Sequence, residues 1–135
     1  HIFFNDKWYG FDDGPYAAVR TAEILAKSSE SISDIFSKFP DSFSTPELNI
    51  TVTDKNKFEI VKRFIEESQL EGEKIIIDGL RVNFKDGWGL LRASNTTPKL
   101  VLRFEGNSSE SMNRIQEEFI SELSRICPEI DINLD

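Results

Sequence analysis

Residues 92–98 read Arg-Ala-Ser-Asn-Thr-Thr-Pro. A guanidinium offers a planar fork of donors that matches the oxygens of a dianion, and Ser94, Asn95, Thr96 and Thr97 add neutral donors beside it. A tight loop also aims several backbone amides into one concavity. Phosphate is the ligand that such a set suits. The charge distribution points the same way. Between Arg81 and Arg103 there are five basic residues (Arg81, Lys85, Arg92, Lys99, Arg103) and one acid, Asp86, a net +4 within a chain of −8. The competing explanation is a plain polar connection between two strands, because short Ser/Asn/Thr loops are common.

Other chemistry is thinner. Asn49, Asn95 and Asn107 each open a glycosylation-type triplet, but the first falls mid-strand and no secretion signal accompanies them. Asp12 and Asp13 lack a third ligand nearby and suit the first turn of a helix better than a metal. Cys127 has no base close in sequence and reads as a buried thiol rather than a nucleophile. His1 is a reactive imidazole, a tag remnant or the accident of a cut site, and sequence physics does not choose among these. There is no nucleophile–base pair, metal-ligand cluster or P-loop, so the chain taken alone is not a complete active site.

The elements that position these residues follow from periodicity. In residues 47–53, Leu48, Ile50 and Val52 alternate with polar neighbours, as in a strand with one buried face. Thr53 or Asp54 is placed to cap a helix running to about Gln69, with Phe58, Val61 and Ile65 along one stripe. Three strand signals follow at 74–77, 80–84 and 88–92, the first two joined by a tight Asp78–Gly79 turn. Another runs through Leu100, Leu102 and Phe104. A last helix begins near Asn107, with Glu110 as a capping-box acid, and carries Met112, Ile115, Phe119, Leu123 and Ile126 on one face before Pro128. The order β-α-β-β-β-β-α predicts an α+β domain, a mainly antiparallel four- to five-stranded sheet covered by two helices on one face.

The first forty residues read as a strand, a turn and two helices. The first helix opens at Asp12-Asp13-Gly14-Pro15, and the second, about 31–39, buries Ile32, Ile35, Phe36 and Phe39. They do not make a core alone, and Phe3, Phe4, Trp8, Tyr9 and Phe11 look like parts of a sheet whose other strands are missing. The Ser/Pro-rich stretch at 41–46 reads as a domain boundary or hinge, with an ordinary loop as the alternative.

Composition bounds the function class. A chain of 135 residues with sixteen basic and twenty-four acidic side chains disfavours nonspecific nucleic-acid or membrane-surface binding, which needs surplus positive charge. A hydrophobic share of 39% with eleven Phe supports a packed core. No apolar run approaches the ~20 residues of a membrane span. A single cysteine rules out an internal disulfide and fits a reducing compartment, so a cytoplasmic location is expected. The start at His1, running straight into Phe3 and Phe4, reads as a fragment cut from a longer protein.

Three stretches carry a resemblance. Trp88-Gly-Leu-Leu-Arg-Ala-Ser-Asn-Thr-Thr-Pro98 followed by Leu100-Val-Leu-Arg-Phe-Glu105 resembles the C-terminal phosphate-binding segment of the α-D-phosphohexomutases, on their phosphomannomutase/phosphoglucomutase branch. Ser44-Thr-Pro-Glu-Leu-Asn-Ile-Thr-Val-Thr53 resembles the start of that family's fourth domain, and Phe11-Asp-Asp-Gly-Pro-Tyr-Ala-Ala-Val-Arg20 the helix closing its third. The similarity runs from His1 to about Leu123. It implies that 1–41 is the end of the sugar-binding α/β domain (a strand-helix-helix remnant), 42–46 a hinge, and 47–135 a TATA-box-binding-protein-like phosphate-binding domain.

The activity implied is reversible conversion of hexose 1-phosphate to hexose 6-phosphate. A phosphoserine in the first domain donates its phosphoryl group, giving a glucose or mannose 1,6-bisphosphate intermediate. Mg2+ sits in the second domain, so this fragment is expected to hold no metal and to be inactive alone. By the same resemblance Arg92, Ala93 through its backbone, Ser94, Asn95 and Thr96 grip the phosphate that is not being transferred, with Thr97 and Arg103 as further candidates. His1 falls at the last position of a sugar-recognition loop, as a general acid/base or sugar contact. The partners implied are the hexose phosphate and the other three domains of the same polypeptide, with no nucleic acid and no membrane. Pro15 replaces a larger aliphatic residue of the family and reads as a proline at the first helical position. Asn-Thr-Thr-Pro at 95–98, rather than Gly-Thr-Glu-Pro, favours mannose and glucose phosphates over glucosamine phosphate. The alternative is a stand-alone α+β module that binds a phosphorylated ligand without catalysis.

Overall fold

The computed structural model describes residues 1–134 and divides the chain into two compact units, the first His1–Pro40 and the second beginning at Asp41.

In the first unit, Phe3 forms an isolated antiparallel bridge with Asp12. Gly10 closes this loop at φ 78°, where only glycine is unstrained, and its N–H donates to the Phe4 carbonyl at 3.0 Å. Helix α1 spans Gly14–Lys27. Asp13 caps it by accepting from the Tyr16 N–H at 2.9 Å, which puts Pro15 at the second helical position rather than the first. Trp8 stacks on Tyr16 at 4.3 Å between ring centroids and donates its indole N–H to Asp13 at 3.1 Å. Helix α2 is short, Ile32–Phe36, capped by Ser31. The expected burial of Ile32, Phe36 and Phe39 is not found: they are 57%, 59% and 66% exposed. Forty residues contain no sheet for these helices to cover.

The second unit is one antiparallel sheet with two helices on one face. Strands β1 (Phe43–Ser44) and β2 (Leu48–Thr51) lie end to end along one edge of β6 (Lys99–Gly106), with partners Phe43↔Gly106 and Leu48↔Leu102. From β6 the sheet continues through β5 (Gly87–Ala93), β4 (Leu80–Phe84) and β3 (Glu73–Ile75). The sheet has six strands rather than four or five because Phe43 and Ser44, within the expected hinge, are paired. Thr45 is fixed as well: its N–H donates to the Phe104 carbonyl at 3.0 Å, and its hydroxyl accepts from the Phe104 N–H at 3.2 Å.

Alternation of side chains sends Leu80, Val82, Gly89, Leu91, Ala93, Leu100, Leu102 and Phe104 to one face, all buried. Helix α4 (Ser109–Ile126) lays Ile115, Phe119, Leu123 and Ile126 on that face. Phe119 is its centre, 5.4 Å from the Phe104 ring and 5.7 Å from the Phe64 ring. Gly89 makes the room, since a Cβ there would sit 2.4 Å from the Phe119 ring. The capping box of α4 pairs Ser108 with Ser111, not with Glu110. Glu110 lies in the first turn, where hydrogen bonds from its own N–H and the Ser108 hydroxyl hold its carboxyl below the usual range.

Helix α3 (Lys57–Glu67) departs from the predicted stripe. Its buried side chains are Lys57, Ile60, Val61 and Phe64, whereas Phe58 is 57% exposed. Asn56, rather than Thr53 or Asp54, stands at the N-cap. A lysine at the first core-facing position masks the true stripe, because hydropathy alone favours the Phe58–Val61–Ile65 set.

Candidate functional site

The loop at 94–98 joins the two longest strands of the sheet. Ala93 pairs with Leu100 and points to the core, while Arg92 pairs with Val101 and lies on the face that the helices leave open. Ser94, 9% exposed, closes the loop base through its N–H to the Lys99 carbonyl at 2.9 Å. Its Oγ accepts from the Thr97 N–H at 3.2 Å and the Thr97 hydroxyl at 2.8 Å, with the Thr96 N–H at 3.4 Å. Ser94 therefore acts as a template inside its own loop. The Lys99 N–H donates to the Thr97 carbonyl at 2.8 Å and tightens the exit. Asn95 and Thr96 are exposed at the tip, and the Asn95 N–H makes no hydrogen bond among the described residues. Arginine, hydroxyls and an outward amide thus sit within five residues on a rigid base, an arrangement suited to an oxyanion.

The turn between β2 and α3 supports this loop from behind. The Val52 N–H donates to the Pro98 carbonyl at 2.9 Å. Lys57, only 4% exposed, donates from Nζ to the Thr97 carbonyl at 3.1 Å and to Asp54 Oδ1 at 2.8 Å. The contacts to Thr97 and Pro98 are not legible in the sequence, since the partners are forty or more residues apart. A lysine among apolar helical positions was the one available signal.

The charge environment also differs from the sequence count. Asp78, three residues before the basic window, reaches Arg92, with Nη1 to Oδ2 at 3.4 Å. Gly79 permits this approach: at φ 96°, a Cβ there would lie 2.2 Å from the Leu91 carbonyl oxygen. Asp86, the acid inside the window, is engaged by Arg114 at 2.7 Å. Arg81 stacks over Trp88 at 4.0 Å from the ring centroid. Arg103 pairs with Leu90, two residues further along the same face from Arg92, and is exposed. The structure therefore places Ser94, Asn95, Thr96 and Thr97 in one loop, with Arg92 two residues before it on β5, and sets Arg103 further along the same sheet face.

In the first unit the His1 Nδ1 pairs with an Asp12 carboxylate oxygen, whose other oxygen accepts from the Ile2 N–H at 3.3 Å. That contact fixes which ring nitrogen faces the carboxylate and leaves Nε2 outward. Cys127 is fully buried, and desolvation pushes its thiol pKa up, as an inert side chain requires. Among the described residues no three His, Cys, Asp or Glu side chains converge as a cluster that could hold a metal ion. No helix of the described residues is long and apolar enough to cross a membrane. The groove of about 710 Å³ beside α4 is bordered by Glu71, Glu117, Glu118 and Glu122 and does not suit an anion.

Comparison with known proteins places these observations. The family model described as phosphoglucomutase/phosphomannomutase, C-terminal domain, matches residues 47–122. A phosphomannomutase/phosphoglucomutase of Pseudomonas syringae is 48% identical over 133 residues, 98% of this chain and 29% of its own length. A phosphoglucomutase of Neisseria meningitidis serogroup B is 50% identical over 119 residues, 86% of this chain and 26% of its own length. The crystal structure of a phosphoglucomutase/phosphomannomutase family protein from Burkholderia thailandensis superposes with a TM-score of 0.82 at 42% identity, covering 99% of this chain and 28% of that one. The chain thus spans between a quarter and a third of the length of these relatives.

Proposed function

Because the chain belongs to the phosphoglucomutase/phosphomannomutase family, with that family's C-terminal domain at 47–122, we propose that it supplies the phosphate grip of a cytoplasmic mutase that interconverts hexose 1-phosphate and hexose 6-phosphate. The observation that carries the reading is the 94–98 loop, closed on Ser94 and flanked by the Arg92 guanidinium on the open sheet face. Mannose and glucose phosphates are the substrates, and a hexose 1,6-bisphosphate is the intermediate.

In this reading Arg92 donates its fork of N–H groups to the phosphate that is not being transferred, giving up its 3.4 Å contact with Asp78. Asn95 and Thr96 add donors at the tip, and the Ala93 backbone flanks them. Ser94 keeps the loop in shape and retains its own hydroxyl proton for the ligand. Holding one end of the sugar fixes the position of the other, and such positioning is a large share of what a protein contributes to phosphoryl transfer. The phosphoserine and the Mg2+ that neutralises charge at the transferring phosphate belong to domains outside this chain. This chain alone does not turn over substrate. The first unit closes the sugar-binding domain, with His1, held by Asp12, as a sugar contact or general acid/base.

The test uses the full-length mutase carrying Arg92→Ala. Loss of a charge-assisted, two-pronged contact raises KM for mannose 1-phosphate and glucose 1-phosphate about tenfold to a hundredfold. A KM within twofold of the parent would remove Arg92 from the site.

A further inference from the structure

Lys57 is a charged side chain in a place where the fold does not need charge. It occupies the first position of α3, on the face that carries Ile60, Val61 and Phe64, and is 4% exposed. Burying an ammonium group costs several kcal/mol unless its protons are used. Two are used, one on Asp54 Oδ1 at 2.8 Å and one on the Thr97 carbonyl at 3.1 Å. The Asp54 carboxylate is 71% exposed, so Lys57 is the member of the pair that has been drawn inward. What it reaches there is the peptide that ends the 94–98 loop.

We infer that Lys57 is a positioning residue for the phosphate grip: its ammonium holds the Thr97 carbonyl away from the ligand side and sets the tip amides outward. The inference rests on the phosphate reading of the loop and adds to it a residue forty positions away. The geometry supports it in two ways. The Thr97 carbonyl takes a second hydrogen bond from the Lys99 N–H at 2.8 Å, so Lys57 and Lys99 together fix the orientation of the 97–98 peptide. The same turn makes a second attachment one residue on, from the Val52 N–H to the Pro98 carbonyl at 2.9 Å. With the 97–98 peptide fixed, the Thr97 N–H and hydroxyl stay on Ser94 Oγ, and the Asn95–Thr96 tip has one conformation to offer.

The experiment measures glucose 6-phosphate binding to the full-length protein by calorimetry, and amide hydrogen exchange over residues 94–98 without ligand. Lys57→Met keeps the length of the stem and deletes the ammonium. It weakens binding about fivefold to twentyfold and speeds exchange at Thr97, whose N–H is held by Ser94 Oγ, about tenfold, while Leu100 to Phe104 stay protected. Ile115→Val, a core truncation on α4, controls for general loss of stability and keeps affinity within twofold. The inference is overturned if Lys57→Met binds within twofold of the parent, or if Ile115→Val weakens binding as much. If Lys57→Met does not fold, Lys57→Arg, which keeps a charged donor, is read instead. Affinity within threefold supports the role, and a folded variant that binds more than fivefold worse overturns it. Arg92→Ala run in parallel separates the two claims. Unchanged binding there removes the phosphate reading itself, whereas weakened binding there with unchanged binding in Lys57→Met removes only the inference.

Discussion

Replacing Ser94 with alanine deletes one oxygen and should loosen one loop. Ser94 Oγ accepts two good hydrogen bonds, at 2.8 Å from the Thr97 hydroxyl and 3.2 Å from its N–H, and a third at 3.4 Å that is too long to count for much. A net contribution of about 1 kcal/mol for each of the two good bonds sets an upper bound of about 2 kcal/mol. Thr97 is exposed, so water replaces part of what is lost, and about 1 kcal/mol of global stability remains at stake. In a unit of roughly a hundred residues that lowers Tm by about 4–8 °C. The local effect is larger than the global one, because the Thr97 N–H loses its only partner among the described residues. Amide exchange by NMR on the chain should show Thr96 and Thr97 exchanging several-fold faster, with Leu100 and Leu102 unchanged. An unaltered Tm together with unaltered exchange at Thr97 would refute the template role of Ser94.

Three other consequences can be measured on the same chain. Gly89→Ala places a Cβ 2.4 Å from the buried Phe119 ring and should destabilise the second unit by about 1–3 kcal/mol, read by urea unfolding. The Glu122 carboxyl is held below the usual range by its hydrogen bond from Arg125, then by the Gln69 N–H. A folded pKa below the unfolded value gives stability that is full above the unfolded pKa of about 4.3 and is lost as pH falls through the folded one. Glu122→Gln should therefore flatten the loss of stability on acidification below about pH 5 and leave a neutral-pH penalty. Cys127 is fully buried with its thiol pKa raised, so a thiol reagent should modify it only at the rate at which the core opens, and urea should accelerate labelling in step with unfolding.

Strand alternation made most of the sheet readable. Leu80–Phe84 is the predicted strand to the residue, and Leu100, Leu102 and Phe104 all lie in the core. The face of α4 was equally plain, because the 3.6-residue period is a local property, whereas the strand expected at 74–77 ends at Ile75 and residues 76–79 replace the tight Asp78–Gly79 turn, leaving Ile77 exposed. What the sequence hid depends on distant partners. Two-residue β1 has no pattern of its own and exists only because β6 offers a free edge beside Gly106. Asp78 lies outside the basic window when counted along the chain and beside Arg92 when the sheet is folded. Lys57 carries the wrong polarity for the stripe it belongs to, so hydropathy rotated α3 toward Phe58. In the site, the run from Arg92 to Thr97 was legible as one polar stretch between two strands. Which hydroxyls face inward was not, since Ser94, Thr96 and Thr97 are chemically interchangeable until the loop is closed.

The claim that most of this depends on is that residues 92–97 close on the phosphate of a hexose phosphate. Hydrogen–deuterium exchange of the full-length protein, with and without saturating glucose 6-phosphate, reads that segment directly. Exchange at Asn95 and Thr96 should slow when the sugar phosphate is bound, and should not change when glucose without a phosphate is added. Binding that leaves exchange across 92–97 unaltered would contradict it.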